Sequence, residues 1–451
     1  MIRTLCVAML VVAGTANPAS SAVRFVKANA AGANNGTSWA NAFMSLQSAL
    51  AASVAGDEIW VAAGTYRPAT PAIPNPRTVS FNLKSGVKVL GGFFGTETLA
   101  NQRNPRLNVS VLSGDINGND TPNFGNRSDN SFRVVAATNV DSGGIFDGFV
   151  IRGGNANAAS PQNVGAGMKV SGGTPRILNC IIRDNEASRA AGLQAITSSA
   201  VLSQLVFTGN RSEDVSALDV QGAGNVVVTH CTIAGNTATV SGSHAVLFLN
   251  TTGGTVRGSI LWGNSNPQGF TDQIKMTNAG TAAVNSSVVQ NGTDAPGSGV
   301  VTTDPLLISI LGPDGVAGSG DEDLRLRPGS PSIDTLSSAG LEFDYSDQDG
   351  DGNTTERVPF DTSWRARNAD DPATPNPILH TIEHGAYEFQ GTSCPGDIDG
   401  NGVVNTADLA RFLAVFGDSG EPLRIGDFNA DGLVNTADLV MFLSQFGVPC
   451  V

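Results

Sequence analysis

The sequence predicts an all-β solenoid of short stacked strands, followed by a small α-helical module at the C-terminus. Two observations carry this prediction. Between about residues 145 and 300 an asparagine recurs at nearly constant spacing, and one loop pattern is written twice near the end of the chain. Of the 451 residues, 54 are glycine and 40% are hydrophobic, which suits a turn-rich protein with a folded core.

Residues 1–22 have the organisation of a secretory signal peptide. Arg3 precedes the apolar run 5–14, and the small residues 20–22 form a cleavage site. The apolar run is shorter than the ~20 residues that a transmembrane helix requires. We expect the mature chain to be secreted, and extracellular or attached to the cell surface, with no transmembrane segment.

The charge balance excludes one class of partner. The chain has 26 Lys and Arg residues against 40 Asp and Glu residues, a net charge of −14. A nucleic-acid-binding surface needs a basic patch that neutralises phosphates. We therefore expect no nucleic-acid partner.

Residues 23–57 are expected to form an N-terminal strand and a capping helix. Within residues 38–55 one helical stripe contains Phe43, Leu46, Leu50 and Val54. A solenoid exposes its core at each end, and such a helix would cover the first turn. The stacked strands are then predicted for residues 58–310.

The repeat is defined by asparagines at steps of 25, 26, 28 and 27 residues: Asn185, Asn210, Asn236, Asn264 and Asn291. Three residues earlier stands the apolar column Ile182, Phe207, Ile233, Leu261 and Val288. Five residues earlier stands the column Cys180, Leu205, Cys231, Ser259 and Ser286. Columns two residues apart lie on one side of a strand, so both are predicted to point inward. Cys180 and Cys231 would be two turns apart, roughly 9 to 10 Å, which is beyond disulfide reach.

This pattern resembles the right-handed parallel β-helix family, in which the pectate lyases are familiar members. The resemblance implies right-handed turns with the asparagines stacked at one bend of the chain, and the repeat predicts about ten such turns over residues 58–310. Their side-chain amides would lie at ~4.8 Å spacing and hydrogen-bond along the axis. It also implies that a polysaccharide is the partner.

A search for an active site follows the columns expected to face outward. Six residues before the asparagines stand Asn179, Gln204, His230, Gly258 and Asn285, and two before stand Arg183, Thr208, Ala234, Trp262 and Val289. No two carboxylates share a face on neighbouring turns, so the acid and base pair of a glycosidase is missing there. His230 and Arg183 are the candidate catalytic residues, with an ordinary surface histidine as the alternative.

Gln204, His230 and Trp262 are the candidate carbohydrate-binding residues of this face. Amide and imidazole groups hydrogen-bond to hydroxyls, and an indole ring stacks on a sugar ring. Simple packing of Trp262 under a loop is the alternative.

Residues 311–390 lose the period and become acidic and irregular. Asp347, Asp349, Asp351 and Asn353 imitate the first half of a calcium loop, but Val358 stands where the twelfth residue would complete it. A solvated turn is the favoured interpretation, and a calcium site is the alternative.

Two loops near the C-terminus repeat one ligand pattern. Oxygen-bearing side chains stand at loop positions 1, 3, 5, 9 and 12, glycine stands at 6, and position 7 would offer its backbone carbonyl, as in an EF-hand. The predicted ligands of two Ca²⁺ ions are Asp397, Asp399, Asn401, Val403, Asn405 and Asp408, and Asp427, Asn429, Asp431, Leu433, Asn435 and Asp438. Each loop opens a helix with the stripe Leu409, Phe412, Leu413 and Phe416, or Leu439, Phe442, Leu443 and Phe446.

Paired loops that lack an incoming helix resemble the dockerin type I domain, and the resemblance covers residues 394–450. It implies a calcium-dependent module that docks onto a cohesin-type or cell-surface partner. The residues at loop positions 10 and 11 would contact that partner: Thr406, Ala407, Thr436 and Ala437. Cys394 and Cys450 bracket the module, and a disulfide between them would stabilise it by roughly 4 kcal/mol.

Three functions remain open. The favoured one is a secreted or surface-anchored β-helix that binds polysaccharide or surface components and is attached through its dockerin-like module. The first alternative is a polysaccharide lyase or glycoside hydrolase delivered by that module. The second is a structural surface spacer.

Overall fold

The computed structural model describes residues 21–68, 74–241, 244, 246–249, 253–269, 273–277, 281–293, 295–369, 371, 381–390, 396–398, 403–417, 426–428 and 433–447. Most of the predicted signal peptide, both cysteines of the predicted disulfide, and four predicted calcium ligands lie outside these residues: Asp399, Asn401, Asn429 and Asp431. None of the helices in the described ranges is long and apolar enough to cross a membrane.

The chain from Val23 to Val289 winds into a coil in which neighbouring strands pair in parallel, as Ile182 does with Phe207. In the described part of the chain, sheet A has nine strands: Val23–Val26, Glu58–Ala62, Lys88–Phe93, Ile145–Asp147, Arg176–Leu178, Val201–Ser203, Asn225–Thr229, Gly253–Arg257 and Ala283–Asn285. Sheet B has eight: Gly64–Tyr66, Ser110–Ser113, Phe149–Arg152, Ile181–Arg183, Val206–Thr208, Thr232–Ala234, Ile260–Trp262 and Val288–Val289.

Two further sheets complete the middle turns. Over the same described residues, sheet C has seven strands: Phe81–Asn82, Val135–Thr138, Met168–Ser171, Leu193–Ile196, Leu218–Gln221, Val246–Leu249 and Ile274–Thr277. Sheet D has four short ones: Asn155–Ala156, Glu186–Ala187, Arg211–Ser212 and Thr237–Ala238. Single-turn 3₁₀ helices lie at Pro76–Thr78, Ala100–Gln102 and Ser338–Gly340.

The coil makes about eight turns, because sheet B has eight described strands with one in each turn. The expectation of about ten was wrong, since it extended the short period of the middle region to the whole coil. Only 25 residues separate Ile181 from Val206 (206 − 181), whereas 46 separate Gly64 from Ser110 (110 − 64). Long connections near the N-terminus therefore reduce the number of turns.

The inward columns of the middle turns match the predicted repeat. Ile182, Phe207, Ile233 and Leu261 pair in register and are fully buried. Cys180 and Cys231 are buried free thiols, as the spacing predicted. The asparagines form a ladder, in which the side-chain nitrogen of each donates to the side-chain oxygen of the next: 3.0 Å from Asn185 to Asn210, 2.8 Å from Asn210 to Asn236, and 2.8 Å from Asn236 to Asn264.

The last turn departs from the predicted register by one residue. Leu261 pairs with Val289, not with Val288, and the Ser259 amide donates to the hydroxyl of Ser287, not of Ser286. The ladder consequently ends at Asn264, whose Nδ2 donates to Gln273 Oε1 over 2.7 Å, and Asn291 stands outside the column. An alignment on asparagine alone could not detect this shift, because serine and valine are doubled at 286–289.

The N-terminal helix α1 is shorter than the predicted lid and spans Leu46–Ala52. Leu46 and Leu50 join the core inside the coil, and Phe43 packs against that core from its edge. Val54 lies beyond the helix and is exposed. The helix covers the first strands, which it contacts at Val23–Val26 and Glu58–Ala62.

Residues 304–369 and 381–390, which we call the covering segment, fold back over the outside of the coil. Two antiparallel pairs organise it, Leu307–Ser309 with Asp323–Leu326 and Leu336–Ser337 with Thr381–Ile382. A second apolar core joins its residues Leu324, Ile333 and Phe389 to the outward side chains of sheet B, such as Val206 and Ile260. The acidic composition predicted an irregular surface region, but its sparse apolar residues pack on the outward side of sheet B from Ile181 to Val288.

Two helices form the described part of the C-terminal module, α2 (Thr406–Ala414) and α3 (Thr436–Gln445). Asn405 and Asn435 cap them, each in a capping box with the aspartate three residues later. Phe412 and Phe442 are fully buried and stack with ring centroids 5.5 Å apart. The outer members of the predicted stripes remain exposed: Leu413, Phe416, Leu443 and Phe446.

Candidate functional site

The column predicted to carry the site forms the bend between sheets A and B. Asn179, Gln204 and His230 occupy it with φ values of 47°, 54° and 49°, and Gly258 follows with 57°. This left-handed conformation costs most side chains on the order of 1 kcal/mol, so glycine and asparagine suit it best. A Cβ on Gly258 would lie 2.6 Å from His230 Nε2, so the histidine ring rests on the next turn.

The bend side chains hydrogen-bond from turn to turn. Asn179 Nδ2 donates to Asp147 Oδ1 over 3.1 Å, and Gln204 Nε2 donates to Asn179 Oδ1 over 2.6 Å. Asp147 also accepts from Arg103 Nη2 at 2.8 Å and from Ser346 Oγ at 2.7 Å. The column is therefore a polar ladder that ends on a buried ion pair.

The predicted exposure of this face is wrong. Gln204 and His230 are 1% and 2% exposed, and Arg183 is buried as well. Three contacts of the covering segment explain it: Gln204 Nε2 donates to Phe360 O at 2.9 Å, Arg183 Nη1 donates to Gly318 O at 2.7 Å, and Thr362 Oγ1 donates to Gln204 O at 2.7 Å. The repeat alone could not reveal a cover that comes from more than 100 residues further along the chain.

Trp262 is only partly buried, and it packs against the apolar core beneath the covering segment. His230 Nδ1 lies 2.8 Å from the hydroxyl of Thr229. Burial first, and then the positive charges of Arg367 and Arg257, hold the pKa of His230 well below its usual value. Its neutral imidazole has no route to a polymer while the covering segment is in place.

The outward side of sheet C carries polar side chains that lie outside the two columns searched from the sequence, where Asp219 was predicted only as an isolated carboxylate. Lys169, Gln194 and Asp219 stand opposite one another on three consecutive turns. Lys169 is partly exposed, whereas Gln194 and Asp219 are buried. Parallel to them run Ser171, Ile196 and Gln221, which are all partly exposed. The signal was present in the sequence as alternation in the strands 168–171, 193–196 and 218–221, but these strands lie far from the asparagines used to align the repeat.

Two cations at this face have no carboxylate partner among the described residues. Arg133 donates to the carbonyl oxygens of Pro161 and Val164, at 3.2 and 3.3 Å, and to no acidic group. Burial lowers the pKa of Lys169, and the charge of Arg133 lowers it further. Arg189, by contrast, is neutralised by Asp214 and Asp219. An anionic group beside Lys169 and Arg133 would relieve their mutual repulsion.

A buried carboxyl pair lies within the covering segment. Among the described residues, no N–H or hydroxyl group donates to the Glu383 oxygens, and the side chain is fully buried beside the Glu388 carboxyl, with which it can share a proton. Arg367 Nη1 forms an ion pair with Glu388 Oε2 at 3.3 Å. Burial raises the pKa of Glu383 to about 7, and burial together with Glu383 raises that of Glu388 well above its usual value.

The acidic loop of the covering segment gathers two overlapping groups of carboxylates. Asp344, Asp347 and Asp349 form one, and Asp349, Asp351 and Glu356 form the other, with oxygens within 4.8 Å of one another in each. Hydrogen bonds inside the loop hold its shape, such as Gly352 N to Asp347 Oδ1 at 3.1 Å. Carboxylate oxygens at these distances are suitable ligands for a hard cation such as Ca²⁺. A solvated turn, which the sequence favoured, has the same geometry, so both interpretations fit the loop.

In the C-terminal module, the described loop residues fit a calcium site. The twelfth-position aspartates Asp408 and Asp438 are fully buried, and each accepts a 2.9 Å hydrogen bond from the backbone of the ninth-position asparagine. Asp397, at the first position, is also buried. Buried carboxylates at the first and twelfth positions of such a loop suit a divalent cation. Thr406, Ala407, Thr436 and Ala437 lie in the first turns of α2 and α3 and are exposed.

The comparisons with known proteins concern the coil. No curated protein matches the chain. Among solved structures, the chain is similar to one described as the crystal structure of pectate lyase Pel9A, with 15% sequence identity and a TM-score of 0.34, over 82% of this chain and 96% of that one. The family described as "Right handed beta helix region" matches residues 164–305, and with the sheet topology this shows that the protein is a right-handed parallel β-helix.

Proposed function

We propose that this protein is a secreted, non-catalytic β-helix that binds an acidic polysaccharide along the outward face of sheet C. The observation that carries the proposal is the proximity of two partly exposed cations, Lys169 and Arg133, that have no carboxylate partner among the described residues. Carboxylates of a uronate polymer would supply the negative charges that these two groups lack.

The geometry of sheet C suits a polymer. Ser171, Ile196 and Gln221 are partly exposed and belong to neighbouring strands, which lie ~4.8 Å apart, so this column offers side chains to a polymer at fixed steps along the coil axis. Lys169, two residues before Ser171 on the same strand, is also partly exposed. A rigid sheet loses little conformational entropy when it binds a chain of repeating units.

Binding is favoured over turnover for a chemical reason. Glycoside hydrolysis needs two carboxyl groups on either side of the scissile bond. On the described outward face of sheet C, Asp219 is held by Arg189, Gln194 and Gln221, and no second carboxylate stands in its column. The binding role first expected for Gln204, His230 and Trp262 applies to this protein only if the covering segment opens.

The C-terminal module is proposed to attach the protein to a partner in a calcium-dependent way. Two bound Ca²⁺ ions would order the two loops, and the chemistry that each ion supplies is charge neutralisation of its carboxylate ligands. The exposed side chains of Leu413, Phe416, Leu443 and Phe446 would then form the apolar part of a docking surface, beside Thr406, Ala407, Thr436 and Ala437. A cohesin-type protein is the partner that the dockerin resemblance implies.

Retention on immobilised polysaccharides tests the binding proposal. The protein should be retained by alginate or pectate, and added salt should weaken retention, because the contacts are between charges. Lys169→Ala should weaken retention about tenfold, since a charge-assisted hydrogen bond contributes roughly 1.5–3 kcal/mol. The matched control is Lys88→Ala, a partly exposed lysine of sheet A that pairs with Glu58 at 3.3 Å. Equal retention of all three proteins would contradict the assignment to sheet C.

The same polysaccharides separate binding from the enzymatic alternative. A lyase would release unsaturated uronides, and a hydrolase would release reducing ends. Depolymerisation by the purified protein that is lost in Lys169→Ala would show sheet C to be an active site, and the non-catalytic proposal would be wrong.

A further inference from the structure

The covering segment is fixed to the coil near its C-terminal end by short backbone contacts. The amide of Gly385 donates to Gly258 O over 2.7 Å, and the amide of Ala386 donates to Thr232 Oγ1 over 3.0 Å. Arg367 Nη2 donates to Gly385 O at 2.8 Å and to Glu383 O at 3.3 Å. Arg367 therefore holds the stretch that touches sheets A and B.

The charges of this junction do not balance when every acid is ionised. Glu383, Glu388 and Arg367 are all buried, so two carboxylates would share one guanidinium. Arg367 Nη1 lies 3.3 Å from Glu388 Oε2, and in the described part of the chain the Glu383 oxygens have no donor apart from the Glu388 carboxyl when that group is protonated. A buried carboxylate without a donor is costly in the ionised form and is stable as a neutral acid.

Other charged groups around the pair do not correct the imbalance. Within the covering segment, the carboxylate of Asp361 accepts a 2.8 Å hydrogen bond from the backbone amide of Glu388. The negative charge of Asp334 raises the pKa of Glu383, and His384 follows Glu383 in the sequence. From the coil, His230 and Arg257 face the same junction. Arg257 is paired with Glu342, so Arg367 is the one cation of the described residues that forms an ion pair with the carboxyl pair.

We propose that the Glu383–Glu388 pair is a proton-dependent clasp. While the pair retains a proton, the covering segment stays on the coil, and when both carboxyl groups ionise, the covering segment is released. Release exposes the bend column with Gln204 and His230. The clasp does not depend on the proposed polysaccharide binding, because its groups and the face of sheet C belong to different surfaces.

The direction of the pH dependence follows from the pKa shifts. The pKa of Glu383 is raised to about 7 and that of Glu388 is raised further, so closure is strongest below their unfolded pKa and weakens as pH rises through the folded values. Burial lowers the pKa of His384 to about 4 and that of His230, so their contribution to closure is present above their unfolded pKa and is lost in acid. In acid the protonated carboxyl pair favours closure, whereas protonation of the histidines opposes it. Above about neutral pH the histidines are neutral and the carboxyl groups ionise, so opening of the covering segment is expected from there upward.

Chemical modification of histidine measures the release directly in the full chain. Diethyl pyrocarbonate modifies accessible neutral imidazoles, and partly exposed His244 serves as the internal reference for buried His230. Mass spectrometry after brief treatment should show the ratio of His230 to His244 modification rising about tenfold or more between about pH 6 and about pH 9, since loss of one proton changes an equilibrium up to tenfold per pH unit.

Two variants and one control assign the effect. Glu388→Gln and Glu383→Gln should keep His230 protected across this range, because a neutral amide cannot ionise. Glu356→Gln, a partly exposed glutamate elsewhere in the covering segment, should retain the rise. Circular dichroism checks that each variant folds. If only one of Glu388→Gln and Glu383→Gln folds, that variant alone is sufficient for the test. A constant ratio in the unmodified protein, or a rise that persists in a folded pair variant, overturns the proposal.

Discussion

Gln204 donates a 2.9 Å hydrogen bond to the carbonyl oxygen of Phe360, a residue 156 positions further along the chain. This contact joins the bend of the coil to the covering segment. It explains why a column that the sequence places on the outside of a solenoid is buried. On sheet C, by contrast, Ser171, Ile196 and Gln221 remain partly exposed.

Removal of a core side chain should show how strongly the stacked columns stabilise the coil. Phe207 is fully buried between Ile182 and Ile233 in the register of sheet B. Phe207→Ala should lower the free energy of unfolding by about 3–5 kcal/mol, through lost burial and a residual cavity. Denaturant unfolding measures this change. Phe94→Ala, at an exposed position, is the control and should change it by less than about 0.5 kcal/mol. Equal losses in the two variants would contradict the packing described.

The asparagine ladder offers a test of the corrected register. Asn210 accepts from Asn185 and donates to Ile182 O and Asn236 Oδ1, all within the buried column. Asn210→Ala leaves several buried groups without partners and should cost about 2–4 kcal/mol, as each such group costs about 1–3 kcal/mol. Asn291→Ala should cost clearly less, because Asn291 stands outside the column. A loss at Asn291 as large as that at Asn210 in thermal or denaturant unfolding would restore the register predicted from the sequence.

The ion pair below the bend should be far more important than a surface pair. Arg103 Nη2 and Asp147 Oδ2 are 2.8 Å apart and fully buried. Arg103→Ala leaves the Asp147 carboxylate in the interior without its partner, which typically costs about 3–5 kcal/mol. Lys88→Ala removes the partly exposed pair with Glu58 and should cost no more than about 1 kcal/mol. Denaturant unfolding of the two variants in parallel measures the two losses of free energy. Similar losses would contradict the larger contribution of the buried pair.

Removal of calcium should unfold the C-terminal module and leave the coil intact. The described helices α2 and α3 have only 9 and 10 residues, and isolated helices of that length are marginal in water. Titration calorimetry on residues 392–451 should give two calcium sites, and chelator should remove most of the helical circular dichroism. Fewer than two sites, or an unchanged spectrum in chelator, would contradict the predicted ligands.

The sequence was sufficient for the coil where each turn has nearly the same length. Phe207 and Ile233 could be assigned to the core because strands of period two repeat them at fixed spacing. The first turns and the last turn were not predictable in this way, since long loops and the doubled residues near Val288 break the spacing.

The candidate site could be predicted only in part, because exposure is a property of the whole chain. His230 is a bend residue as its column suggested, but the cover that buries it comes from a segment without periodicity. Lys169 was missed because it stands in a different sheet from the asparagines used for alignment. The second cation beside it, Arg133, comes from a different part of the chain, and a strand pattern does not show that the two lie close together.

Side-chain footprinting with hydroxyl radicals tests the central claim, that polysaccharide binds the open face of sheet C and not the covered faces. Ile196 lies on sheet C and Trp262 on sheet B, and both are partly exposed and oxidisable. In the presence of alginate or pectate, the account predicts slower oxidation of Ile196 and unchanged oxidation of Trp262. Protection of Trp262 with Ile196 unaffected would contradict it.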